Sequence, residues 1–178
     1  MLNLSKGDSL DLKKEDGSAV TKIRFGGGWD MADTTKPTFD LDLFAFDNAQ
    51  VCYFNNKEIA GVKLDKDNLT GAGEGADENI HFDVTKMTSK KFALAINIYN
   101  GKAKGQTFNN IKNTFVEIED EDTKKVLARY NVSADGGNND SLLVGIIENV
   151  GGILKFTAKG EYTNGNIEEI VTKYKPSL

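Results

Sequence analysis

Lys91-Phe92-Ala93-Leu94-Ala95-Ile96-Asn97-Ile98-Tyr99 is the stretch on which the fold turns. Successive side chains of a strand point to opposite faces, so Phe92, Leu94, Ile96 and Ile98 share one face. Ala93 and Ala95 occupy the other. Both faces are apolar, so the segment reads as a central strand. Phe39-Asp40-Leu41-Asp42-Leu43-Phe44-Ala45-Phe46 behaves in a related way. It begins by alternating, with Phe39, Leu41 and Leu43 opposite the two aspartates, and becomes apolar on both faces from Phe44 onward. Residues 114–119, 126–132, 142–148 and 153–162 also read as strands. Asp16-Gly17, Asn100-Gly101, Asp135-Gly136-Gly137 and Asn164-Gly165 mark turns.

One segment has a helical period. Ile167, Ile170, Val171 and Tyr174 are spaced i, i+3, i+4, i+7. Asn166 is suited to cap it, Glu168 and Glu169 suit its first turn, and Pro176 prevents its continuation. A helical turn is also expected near 108–111. Without an internal repeat or a Pro-rich linker, residues 1–178 read as a single domain. The predicted fold is mainly β, a two-sheet antiparallel β-sandwich with a short C-terminal helix.

Composition narrows the function. A chain of 178 residues and 19.5 kDa can bury about 70% of its unfolded surface, enough for a core without staples. The net charge of −5 argues against nucleic acid as a partner. Cys52 is the lone cysteine and His81 the lone histidine. That excludes an intramolecular disulfide and Cys-rich or multi-His metal sites, and it weakens Ser-His and Cys-His catalysis. Mean hydropathy is −0.42, and no apolar run approaches the ~20 residues of a membrane helix. The N-terminus carries no apolar signal core, so a cytoplasmic protein is expected. Cys52 reads as core packing, His81 as an exposed strand residue, and Asn55-Asn56 as a turn.

Residues 65–78, Asp65-Lys66-Asp67-Asn68-Leu69-Thr70-Gly71-Ala72-Gly73-Glu74-Gly75-Ala76-Asp77-Glu78, carry five acids and three alternating glycines. Each glycine costs a helix up to ~1 kcal/mol relative to Ala, so a tight loop is expected. Gathered carboxylates repel one another unless a cation neutralises them, and calcium takes six to eight such oxygens. The loop is not an EF-hand: a register starting at Asp65 puts Leu69, Thr70 and Ala76 at positions that need other residues. It lacks the Gly-Lys-Ser/Thr of a phosphate loop. The alternative is a solvated acidic turn. Asp30, after Gly26-Gly27-Gly28-Trp29, and the same-face pair Asp40 and Asp42 are able to converge with it. For that pair the alternative is an exposed polar face. Acids concentrate here: residues 30–47 carry −4 and residues 65–83 carry −5, leaving the remainder at +4.

The chain resembles the TerD family of tellurite-resistance and stress-response proteins. The resemblance rests on Leu4-Ser5-Lys6-Gly7-Asp8-Ser9-Leu10-Asp11-Leu12, Gly28-Trp29-Asp30, Phe39-Asp40-Leu41-Asp42, the Asn55-Asn56 pair and Asp67 to Glu78. Arg129-Tyr130-Asn131-Val132, Gly145-Ile146-Ile147 and Lys155-Phe156-Thr157-Ala158 follow in order. It implies a calcium-binding stress-response module of the tellurite, chemical-stress and phage-resistance type, acting as a binding or scaffold protein and not as an enzyme. It further implies two calcium ions, and as partners other stress-resistance proteins, some membrane-associated. The implied ligands are Asp67, Asn68, Asp77 and Glu78, with carbonyls near Gly71 and Gly73. Asp30, Asp40 and Asp42 are further ligands from neighbouring strands. Lys66 stands where the family has Gly, Ala76 where it has an acid, Asn131 where it has Asp, and Leu154 where it has Trp. Two other functions remain open. One is a calcium-dependent module in which the ion bridges to a cyclic nucleotide or other small anion, or to sugar hydroxyls, with Trp29 either a stacking face or core packing. The other is a metal-dependent hydrolase.

Overall fold

A computed structural model describes residues 1–30, 39–65, 77–132 and 137–178, with the backbone alone at Asp30. In chain order the strands are β1 (Leu2–Asn3), β2 (Ser9–Asp11), β3 (Lys22–Asp30), β4 (Leu41–Phe46), β5 (Val51–Cys52), β6 (Glu58–Ile59) and β7 (Val62–Leu64). There follow β8 (Glu78–Asp83), β9 (Lys91–Ile98), β10 (Lys112–Asp120), β11 (Lys125–Asn131), β12 (Ser141–Val150) and β13 (Ile153–Thr163). Helix α1 is Gly101–Lys104 and helix α2 is Ile167–Tyr174. A 3-10 turn covers Phe108–Asn110, where a helical turn was expected, and another covers Lys175–Ser177.

Two sheets stack. One has the order β1-β11-β10-β3-β8-β7-β6 and the other β2-β13-β12-β9-β4-β5. The strand pairs are antiparallel except at one edge, where β1 runs parallel to β11. That short N-terminal strand had no alternation to reveal it.

The central-strand reading of β9 holds. Phe92, Leu94, Ile96 and Ile98 enter the core between the sheets, while Ala93 and Ala95 lie in a second apolar cluster outside it. The two alanines are small because α2 packs on that side: Ile167 and Ile170 join Phe44, Phe46, Leu143 and Ile146 there. Burying each isoleucine contributes about 1.5–3 kcal/mol. The Asn166 side chain accepts from Glu169 N–H at 2.8 Å, and Glu169 reaches back to the Asn166 N–H. This reciprocal cap satisfies amides that the first turn leaves open.

A bulge between Leu143 and Gly145 shifts the phase of β12. Leu142 and Val144 face the main core before it, and Ile147 faces it afterwards. A Cβ at Gly145 would lie 2.4 Å from the Thr157 carbonyl, so the bulge admits only glycine. Leu154 is fully buried in the main core, as its strand pattern required.

Candidate metal centre

The site grows from an uncovered edge. β4 pairs with β9 from Leu41 to Phe46, but β5 covers only Ala45 and Phe46. The Leu43 N–H therefore finds no ladder partner on that side. Glu78 supplies one: its Oε2 accepts the Leu43 N–H at 2.8 Å. Glu78 belongs to the opposite sheet, where it is in phase with the buried Ile80 and Phe82 and so points inward. Its register partner is Gly27. A Cβ there would come within 2.8 Å of Leu43 Cδ2, so the bare backbone lets the sheets close enough for this reach.

Asp40 and Asp42 complete the group. One ligand oxygen from each of Asp40, Asp42 and Glu78 lies within 4.8 Å of the others. Asp42 is 2% exposed and Glu78 1%, and Asp40 is half-buried. The exposed-face reading of the aspartate pair is thereby overturned. Phe44 and Phe46 continue the same face of β4, and α2 packs on that face through Ile167 and Ile170.

Three clustered carboxylates, two of them withdrawn from water, repel one another and lose hydration. The donor set fits a hard divalent cation. Two oxygens each about 2.4 Å from calcium lie at most about 4.8 Å apart, so the spread suits one shared ion. Among the described residues this is the one carboxylate, thiol or imidazole cluster with such spacing.

Asp77 is placed differently. Its N–H donates to the Gly27 carbonyl at 2.7 Å, and its carboxylate accepts the Trp29 N–H at 3.0 Å. It pins the end of the acidic segment to β3, one residue from Glu78. Asp67, Asn68, Gly71 and Gly73 lie outside the described residues, as does the side chain of Asp30. Trp29 is 4% exposed and packs in the main core, so its ring offers no stacking face. Asn55 and Asn56 form the expected turn: Asn56 pairs with Tyr53, and its amide donates to the Val51 carbonyl at 2.9 Å. Cys52 is buried, and that burial pushes its thiol up to about 11.

His81 departs from the exposed reading. It is half-buried and sits between two carboxylates, Asp65 at 2.9 Å from Nε2 and Glu121 against Nδ1. Burial alone would lower its pKa. The hydrogen bonds and charges of the two acids overcome that and raise it. Asp65 directly precedes the acidic loop, so the imidazole ties the start of that loop to the end of β10. The same outer sheet face carries Arg24, bonded to Glu117 at 2.7 Å and Glu119 at 2.9 Å, with Arg129 on Glu117 at 3.0 Å. The Glu78–Leu43 latch and the Gly27 approach escaped sequence reading. The phase of Glu78 with Ile80 and Phe82 was the one signal for an inward carboxylate.

The chain is 33% identical over 190 residues to general stress protein 16U of Bacillus subtilis, covering 97% of this chain and 96% of that protein. To the tellurium resistance protein TerD of Serratia marcescens it is 28% identical over 186 residues, covering 97% and 96%. A solved homologue of the telluride resistance protein TerD from Streptomyces coelicolor superposes with a TM-score of 0.73 at 15% identity. That match covers 85% of this chain and 95% of the other. The TerD domain family matches residues 1–174, and the chain belongs to that family.

Proposed function

We propose that the protein is a calcium-binding module of the stress-response and tellurite-resistance type, acting by binding or scaffolding and not by catalysis. The observation that carries this reading is the convergence of Asp40, Asp42 and Glu78 within 4.8 Å at the edge of β4. Such a group is costly when empty and well suited to a hard cation. The stress and tellurium names of full-length relatives support the cellular role. Asp77, fixed to β3 next to Glu78, and Asp67, Asn68 and the carbonyls near Gly71 and Gly73 belong to the same proposal as further oxygens for one or two ions. A cytoplasmic setting and stress-resistance partners belong to the same reading. No helix of the described residues is long and apolar enough to cross a membrane.

The test is calcium titration followed by thermal melting. A ligand that binds only the native state adds about 2.7 kcal/mol at a hundredfold excess over Kd, or roughly 5–10 °C for a chain of this size. An unchanged Tm in millimolar calcium would overturn the proposal.

A further inference from the structure

A second feature lies on the sheet that carries β4, beside the carboxylate cluster: Asn97 of β9 is the register partner of Asp42. A cavity of about 480 Å³ opens between β9, the Asn100–Ala103 turn and the start of α2. Its wall contains two buried polar side chains, Asn97 at 3% and Asp140 at 5% exposure. Both amide hydrogens of Asn97 are used, one on Ser141 Oγ at 2.7 Å and one on the Gly165 carbonyl at 2.8 Å. A carbonyl can only accept, so this fixes the amide's orientation and leaves Oδ1 as the acceptor that Asn97 brings to the cavity lining. The described hydrogen bonds of Asp140's carboxylate fall on Oδ1, from Ser141 Oγ and the Gly165 N–H. Asp140 lines the cavity, and Oδ2 has none of these bonds.

The donors alternate with these acceptors. Asn166 spends its Oδ1 on the Glu169 N–H, and Asn164 spends its own on the Asp140 N–H. Each keeps its NH₂ to offer, Asn166 in this cavity and Asn164 in the adjoining one of about 400 Å³. Exposed Lys102 lines both.

A pure anion would meet Asp140 and Glu169, and a pure cation would meet Lys102 and the amide hydrogens. A hydroxyl both donates and accepts without net charge, so it suits both halves of this wall. We infer that the groove formed by Asn97, Asp140, Asn164, Asn166 and Lys102 binds a neutral hydroxyl-rich small molecule, a sugar or polyol. The groove adjoins the carboxylate cluster through the Asn97–Asp42 register pair, but its polar wall needs no bound cation.

The experiment uses the full chain without calcium. Amide shifts are followed by NMR while D-glucose, trehalose, myo-inositol, inorganic phosphate and putrescine are added separately at tens of millimolar. The expected result is that at least one of the three hydroxyl-rich probes shifts amides within residues 97–103, 138–140 and 164–169. Asp140→Asn keeps the Oδ1 bonds but loses the free carboxylate oxygen. Lys102→Ala changes only an exposed side chain. Each should weaken that binding by about tenfold. The inference is overturned if none of the three shifts this groove, if neither variant weakens binding, or if phosphate or putrescine binds there in preference.

Discussion

Glu78 and Leu43 join the two sheets: the carboxylate of one sheet caps the free amide of the other at 2.8 Å. The carboxylate thus has a structural duty and, in our proposal, a metal-binding one, and substitution separates them. Glu78→Gln keeps an acceptor for Leu43 and removes a charge from beside Asp40 and Asp42. The metal-free protein should be at least as stable as wild type, while its calcium-dependent rise in Tm should shrink. Glu78→Ala strands the buried Leu43 N–H and should cost about 1–3 kcal/mol even without calcium. Melting curves of both variants, with and without calcium, check this. A full calcium response in Glu78→Gln would remove Glu78 from the ligand set.

His81 makes stability depend on pH. Its pKa is raised in the folded protein by Asp65 and Glu121 acting against burial. The charged form is therefore favoured by folding. The stabilisation is complete below the unfolded value near 6.5 and is lost as pH rises through the folded value. Tm should fall across that window in wild type and stay flatter in His81→Gln. The chain has one histidine, so its ring proton gives a single NMR titration, expected with a midpoint above that of a free imidazole. A midpoint at or below it would show that the two carboxylates do not hold the ring.

Much of this arrangement was legible because strand periodicity reports burial directly. In β9 the large residues fell in one core and the two alanines in the other, and the sequence alone separated them. The α2 period and its Asn166 cap were equally plain. The Asp40–Asp42 pair was harder. Alternation told us that the two share a face, but not that this face is buried, because α2, which packs on it at Phe44 and Phe46, lies more than 100 residues away in the chain. The Glu78–Leu43 latch depends on where β5 stops and on what Gly27 lacks. Both are facts about distant strands coming together, and neither leaves a local pattern. His81 was missed for the same reason: Asp65 and Glu121 come from other strands' ends.

Cys52 should be inert in the native state. It is fully buried, with its thiol pushed up to about 11 by that burial, so almost no thiolate forms at neutral pH. A thiol reagent such as Ellman's should label it slowly in the folded protein and at once in denaturant. Rapid labelling of the folded chain would show that the strand pair β4–β5 opens readily, since the thiol cannot otherwise be reached.

The alanines of β9 set the seat of α2. Ala93 and Ala95 are fully buried beneath Ile167 and Ile170, so a larger residue has no room unless the helix lifts. Ala95→Leu should cost about 1–3 kcal/mol by overpacking. The damage should be local, because the main core lies on the other face of the strand and keeps Leu94 and Ile96. Ile170→Ala attacks the same contact from the helix side and should cost about 2–5 kcal/mol, toward the lower end if the helix end frays to fill the gap. Hydrogen exchange distinguishes the two cores. Both variants should speed exchange in residues 167–174 far more than in β10 and β3. If Ala95→Leu instead loosens both sheets equally, the outer cluster is not a separate layer and α2 is part of one cooperative core.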